Sequence, residues 1–297
     1  MVEAIPRAVC RRRIGHHAEY RVWEMIRMWE ECVVGGQVEL FVAYAGSGDL
    51  PWLLVIHGGP DWDHSYLREP LAKMIGTHRL LLPDLRGCGR SARGLPLVNY
   101  HPDAVVDDLL TILDSFDGAT ADVLGFSYGG LLAQRLAITA PLRIRRMIIA
   151  SSSVLPVPAD SYQNWPERAL ACAPEREVWA SPSAPEAERT RAAAFAGARA
   201  NIWRSEALPE YRRRVGAVRF SADWDRARRA GALPSARIDN PLRRLSETGI
   251  PTLLLHGRYD MAFPATLAEQ TAGLLPNAEA VVLDNAGHMA HIDQPDR

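Results

Sequence analysis

The stretch that most constrains this 297-residue chain is Gly125-Phe126-Ser127-Tyr128-Gly129-Gly130. A strand pattern, Ala121 to Phe126, leads into it, and a segment carrying Leu131, Leu132, Leu136 and Ala137 at helical spacing leads out and stops at Pro141. A serine at that junction, with glycine two positions before and after, is the G-x-S-x-G pattern of a strand-to-helix turn too tight for side chains at the glycine positions. Such a turn strains the serine backbone and pushes its oxygen out of the sheet at a helix N-terminus. A serine that merely falls in a Gly-rich turn by coincidence would not need both flanking elements, so Ser127 is the candidate nucleophile.

A turn of this kind needs a parallel sheet around it, and the rest of the chain supplies one. Cys32 to Val34 and Val38 to Tyr44, joined at Gly35-Gly36, read as a hairpin. Trp52 to Ile56, Arg79 to Leu82, Met147 to Ala150, Pro251 to Leu255 and Ala280 to Leu283 are short apolar runs of the kind found in strands buried on both faces. Pro102 to Phe116 carries Val105, Val106, Leu109, Ile112 and Leu113 on one helical stripe. The alternation of strand and helix makes the fold class α/β, a mostly parallel central sheet flanked by helices. Between residues 154 and 240 it gives way to Pro-, Ala- and Arg-rich helical stretches, 185–200 and 210–218 among them, which reads as a helical cap inserted after the sixth strand. The expected organisation is an N-terminal arm over 1–30, a core over 31–153 and 241–297, and the cap over 154–240. In the arm, Tyr20, Trp23, Ile26 and Trp29 fall near one face of a short helix.

A nucleophilic serine needs a base and a carboxylate behind that base. With an elbow of this type the partners follow in the order acid, then histidine, on loops after later strands. Asp260 follows Pro251 to Leu255, and His288 follows Ala280 to Leu283. The other position at which an acid could stand holds Ser151, Ser152 and Ser153. Competing histidines have plainer readings: His57 as a structural hydrogen-bonding residue, His256 as a satisfied core residue, His291 as a neighbour of the base or a helix-surface residue, and His16 and His17 as part of the arm. The oxyanion of an acyl-transfer step would be met by the backbone N–H groups of Gly59 and Tyr128, since Pro60 has none to offer.

Charge and cysteine usage bound the partners. The formal net charge of -1 gives no footprint for nucleic acid or an anionic membrane, and no apolar run approaches the roughly 20 residues of a membrane span. Arg11, Arg12 and Arg13 are not followed by the apolar stretch of a secretory signal, so the run reads as a solvated terminus. Cys10, Cys32, Cys88 and Cys172 lack metal-type spacing and fit a reducing cytoplasm. The expected partner is a small-molecule substrate, with no metal and no cofactor, and the chain is monomer or homodimer.

Five pieces, His57-Gly58-Gly59-Pro60, Asp84-Leu85-Arg86-Gly87-Cys88-Gly89-Arg90-Ser91, the Ser127 elbow, His256-Gly257-Arg258-Tyr259-Asp260 and Gly287-His288, together resemble the proline iminopeptidase-like branch of the α/β hydrolases. The resemblance implies a helical cap and hydrolysis through an acyl-enzyme. Two departures stand out. Asp61 replaces the last glycine of His-Gly-Gly-Pro-Gly and is followed by Trp62, Asp63 and His64, which speaks against strict iminopeptidase specificity. Only nine residues follow His288, where such relatives carry a final helix. Aminopeptidases of this branch hold the substrate ammonium with cap carboxylates; Glu206 and Glu210 near Trp203, and Asp61, are candidates for that role, but no motif match carries it to them, and a solvated cap helix is the favoured reading.

Phe126, Tyr128, Trp62, Trp165 and Trp203, with Asp61, are the expected substrate-binding residues, and they suggest a small apolar or aromatic acyl group. Three alternatives stay open beside such a serine hydrolase: an iminopeptidase, an acyltransferase, thioesterase or cyclase, and a binding protein that has lost turnover. Dehalogenases and epoxide hydrolases carry aspartate where this elbow has Ser127.

Overall fold

The computed structural model describes residues 28–118, 120–181 and 185–297, so most of the expected N-terminal arm, with Cys10, the arginine run and His16 and His17, lies outside the described residues. One eight-stranded sheet runs in the order β1-β2-β4-β3-β5-β6-β7-β8. The strands β1 (Trp29–Gly35) and β2 (Glu39–Ala45) form the antiparallel hairpin that Gly35-Gly36 announced, and β2 lies antiparallel to β4 (Arg79–Pro83). Trp29, grouped above with a helical face, opens β1 instead. From β4 onward, β3 (Trp52–Ile56), β5 (Ala121–Phe126), β6 (Ile144–Ala150), β7 (Thr252–Gly257) and β8 (Ala278–Leu283) are all parallel. This is the α/β-hydrolase arrangement.

Each buried strand feeds two cores, because successive side chains point to opposite faces. In β3, Leu54 and Ile56 join Val105, Leu109, Leu132 and Leu136 on one side. Those four come from α2 (Pro102–Ser115) and α3 (Tyr128–Thr139), the helix that leaves the elbow. Leu53 and Val55 join the other core with Tyr66 and Leu71 of α1 (Ser65–Ala72). Period-two runs without polar interruption therefore report a sheet covered on both faces.

After β6 the chain leaves the sheet, and the described residues form in turn α4 (Pro166–Ala180), α5 (Glu186–Ala196), α6 (Ala198–Asn201), α7 (Leu208–Val215) and α8 (Asp223–Arg229). The expected helix over 185–200 is α5 and α6, broken at Gly197, and the expected one over 210–218 is α7. The core resumes with α9 (Pro241–Thr248), α10 (Ala265–Leu274) after β7, and α11 (Ala290–Asp293) after β8. Tyr211 and Val215 of α7 enter the second core, and Trp224 of α8 enters the first, so the helical segment is packed on both clusters.

The topology concentrates chemistry at one edge. After β3 the chain builds β4 on one side and then crosses to build β5 on the other, so β3 and β5 are neighbours whose following loops run apart. A crevice at such a reversal, outside the carboxyl ends of the strands, is where open α/β sheets bind ligands. The loop after β3 carries Gly58 and Gly59, and the one after β5 carries Ser127.

Candidate active site

Ser127 sits between β5 and α3 with φ 53° and ψ −120°, a conformation non-glycine residues rarely adopt. Its amide is fixed by the Ala150 carbonyl of β6 at 2.8 Å. The flanking glycines are required by sterics: a Cβ on Gly125 would lie 2.4 Å from the Gly129 carbonyl oxygen, and one on Gly129 only 2.1 Å from that of Ile56.

His288 lies between Ser127 and Asp260. Its Nε2 is 3.0 Å from Ser127 Oγ, and its Nδ1 is 2.9 Å and 3.1 Å from the two carboxylate oxygens of Asp260. With a carboxylate on one side, Nδ1 carries the proton and Nε2 is left to accept from the serine hydroxyl. Asp260 is buried, and its Oδ1 also accepts from the amides of Ala262 and Phe263 at 2.7 and 2.9 Å. Burial pushes its carboxyl upward, but the imidazoles of His288 and His256 outweigh burial and hold it well below the usual carboxylate range. His256 thus does more than fill the core: its Nε2 is 3.3 Å from Asp260 Oδ2 and 3.0 Å from the Phe263 carbonyl.

The histidine loop is tied to the helical segment by a residue that no sequence motif announced. Asp293 of α11 accepts from the Gly287 amide at 2.7 Å and from the amides of Trp203 and Arg204 at 3.0 and 2.9 Å. One buried carboxylate therefore fixes the turn before His288 and the chain after α6. His291 is placed against Phe126 and Tyr66 with its Nε2 buried, and burial, then Arg214 and His288, push its imidazole down to about 3.

Opposite the serine, a Cβ on Gly58 would lie 2.9 Å from Ser127 Cβ, so the loop after β3 passes directly against the elbow. The Gly58 amide donates to the Tyr66 hydroxyl at 2.9 Å, leaving Gly59, at φ 118°, as the next backbone N–H of the loop. His57 holds that loop as expected: its Nδ1 is 2.7 Å from the Gly58 carbonyl oxygen and its Nε2 takes the Leu85 amide at 3.1 Å. Tyr128 is the first residue of α3, where the amide has no carbonyl one turn back to bond. Its ring packs edge-on against Trp224, away from the cavity lining.

A cavity of about 520 Å³ opens on Ser127 and His288. Trp62, Phe126 and Asp61 line it, as the sequence suggested, whereas Trp165 and Trp203 do not. Trp165 precedes α4 and faces the Tyr162 ring at 6.4 Å, and Trp203 stacks flat on Tyr259 at 3.8 Å. Asp61 borders the cavity with its carboxylate already engaged: it accepts from Ser221 Oγ at 2.8 Å and from the Trp224 and Asp225 amides at 3.0 and 2.8 Å, at the N-terminus of α8. Glu206 pairs with Arg204, and Glu210 with Arg213 and Arg214, so neither reaches the cavity and the solvated-helix reading describes both. Sequence reasoning missed much of the lining, including a stripe on α4, Arg168, Cys172, Glu175 and Trp179, and Trp224, Asp225 and Arg228 of α8.

This fold and site define a class before any substrate. Residues 51–295 match the model of the alpha/beta hydrolase fold family, and the chain belongs to that family. It is similar to an AB hydrolase superfamily protein, YfhM, of Bacillus subtilis, 24% identical over 272 residues that cover 87% of this chain and 91% of the relative. It is also similar to a proline iminopeptidase of Heyndrickxia coagulans, 25% identical over 272 residues, 89% and 93% of the two chains. Among solved structures, a proline iminopeptidase-related protein of Thermus thermophilus superposes with a TM-score of 0.66 at 24% identity, covering 90% of this chain and 93% of that one.

Proposed function

We propose that this α/β hydrolase is a serine hydrolase that cleaves an ester, amide or thioester bond of a small molecule through an acyl-enzyme. The observation that carries the reading is the line of hydrogen-bond distances from Ser127 Oγ through His288 to Asp260. His288 Nε2 takes the hydroxyl proton as Ser127 Oγ bonds to the substrate carbonyl carbon. The amides of Gly59 and Tyr128 receive the oxyanion, each worth on the order of 3 kcal/mol in the transition state. Collapse of the tetrahedral species breaks the bond to the leaving group, which departs with the proton held by His288. A water then gives its proton to His288, attacks the acyl carbon and releases the acid, restoring Ser127. Asp260, ionised and buried, keeps the imidazole in the required tautomer throughout.

The helices α4 to α8 serve as a cap over the cavity, with Trp62 and Phe126 giving the acyl group an apolar wall. Because the Asp61 carboxylate is engaged with α8, it offers nothing to a substrate ammonium, which favours an esterase-like activity over an iminopeptidase. The test is turnover of short-chain 4-nitrophenyl esters against prolyl 4-nitroanilide by the same preparation. Faster ester hydrolysis that disappears in Ser127→Ala is expected; a strong preference for the prolyl anilide, or ester turnover that survives the substitution, overturns the proposal.

A further inference from the structure

The wall formed by α4 contributes Arg168, Cys172, Glu175 and Trp179, positions i, i+4, i+7 and i+11, which share one helix face. Arg168 is held in place rather than loose. Its Nε donates to the carbonyl of Met261 at 2.8 Å, and its guanidinium carbon lies 3.7 Å from the centre of the Tyr162 ring. Met261 follows Asp260 directly and itself lines the cavity, so this cation is fixed beside the loop that carries the triad's acid.

Among the described residues no carboxylate pairs with Arg168, and only its Nε has a protein acceptor. The other arginine of the cavity wall, Arg228, is paired with Asp225 at 2.6 Å, a carboxylate it shares with Arg229. Glu175, the carboxylate on the same face of α4, is two turns further on, about 10 Å along the axis, and accepts from Trp179 Nε1 at 3.2 Å. A partly buried guanidinium, clamped by a carbonyl and an aromatic face, presents its terminal nitrogens as a fork that matches a carboxylate in two parallel hydrogen bonds. A cation kept unpaired within a substrate cavity is complementary to an anion the substrate brings.

We propose that Arg168 binds a carboxylate of the substrate, so that the molecule cleaved at Ser127 is itself an acid, such as a half-ester or half-amide of a short dicarboxylic acid or an ester of a hydroxy acid. The inference rests on the serine-hydrolase reading of the same cavity and narrows it from an apolar acyl group to an anionic substrate. Arg168 acts in specificity, holding the substrate while Ser127 and His288 carry the bond exchange.

Two matched ester pairs test it in the full-length protein. One places the charge on the acyl side, 4-nitrophenyl hydrogen glutarate against 4-nitrophenyl pentanoate; the other places it on the leaving group, 3-acetoxybenzoate against phenyl acetate. The expected result is a charged-to-neutral ratio of kcat/KM of about ten to a hundred in one pair, the range a charge-assisted hydrogen bond supplies. That ratio should collapse toward one in Arg168→Met and recover in part in Arg168→Lys, which keeps the charge without the fork. A merely structural role would lower both members of a pair and leave their ratio standing. A wild-type ratio near one in both pairs, or one that Arg168→Met leaves unchanged, overturns the proposal. Glutarate and benzoate binding to Ser127→Ala, read by calorimetry with and without Arg168→Met, separates the two claims. If no ester is turned over yet Arg168 governs anion binding, the hydrolase reading fails and the site stands; if esters are cleaved without regard to charge, the reverse holds.

Discussion

At the residue scale, Ser127, His288 and Asp260 are separated by 161 and 28 positions, and their candidacy was legible because each follows a strand end in the chain order serine, acid, histidine. Replacing Asp260 by Asn should leave the fold intact and lower kcat by on the order of 10⁴-fold, because the amide would favour the wrong imidazole tautomer; steady-state kinetics on a 4-nitrophenyl ester checks this. A loss of less than tenfold would remove Asp260 from the role given to it. His291 bears on stability instead. Its folded imidazole is pushed down to about 3, whereas an unfolded histidine titrates at about 6.5. Between those values the unfolded chain binds the extra proton, so stability falls as pH falls through that window. His291→Leu should therefore lose less unfolding free energy than the wild type between pH 7 and pH 4 in urea titrations. Equal losses would show that His291 does not contribute to acid sensitivity. Nothing in a one-letter reading disclosed the burial of its Nε2, because Gly287-His288 drew attention to its neighbour.

At the element scale, the strands were readable and the helices between β6 and β7 were not read well. A strand buried on both faces announces itself as a predominantly apolar run: β3 is unbroken, and β5 and β7 keep apolar stretches, 123–124 and 253–255, beside single polar positions. The helices between β6 and β7 have no sheet register to say which face turns inward. Hence Trp165 and Trp203, large and apolar, were expected in the cavity, while nothing in the sequence singled out Arg168 and Glu175. The signal available was the i, i+4, i+7, i+11 stripe on α4, a mixed stripe that hydrophobic patterning alone does not detect. Asp61 shows the same limit: its position beside the cavity was legible, its service to α8 was not. As that carboxylate takes the amides at the start of α8, Asp61→Ala should cost about 1–2 kcal/mol, lowering Tm by about 2–4 °C. Since α8 also supplies Trp224 and Asp225 to the cavity wall, KM should rise with it. Unchanged thermal melting would contradict the capping role.

At the scale of the whole molecule, Arg86 is a buried junction between the sheet, α2 and α8. Arg86, 2% exposed, makes paired hydrogen bonds of 2.7 and 2.8 Å to Asp108 of α2 and further bonds to the carbonyls of Asn99 and Ala104. Its own carbonyl accepts from the indole of Trp224 at 2.7 Å. Removing one partner of a buried pair strands the other charge, so Asp108→Ala should destabilise the protein by about 3–5 kcal/mol in denaturant titrations. A loss below about 1 kcal/mol would mean that Arg86 finds water or another acceptor. Arg86 stands in the Asp84 to Ser91 stretch that the sequence set apart, and its purpose became visible only once α2 and α8 were placed around it. Among the described residues no helix is long and apolar enough to cross a membrane.

The architecture therefore serves one end, the meeting of a hydroxyl, an imidazole and a carboxylate at the tips of β5, β8 and β7. The most direct measurement is peptide-level mass spectrometry after brief exposure of the native protein to a fluorophosphonate. The account predicts a single stoichiometric adduct on the peptide containing Ser127, strongly slowed in His288→Ala and absent in Ser127→Ala. An adduct on another residue, or no adduct from folded protein, would contradict it.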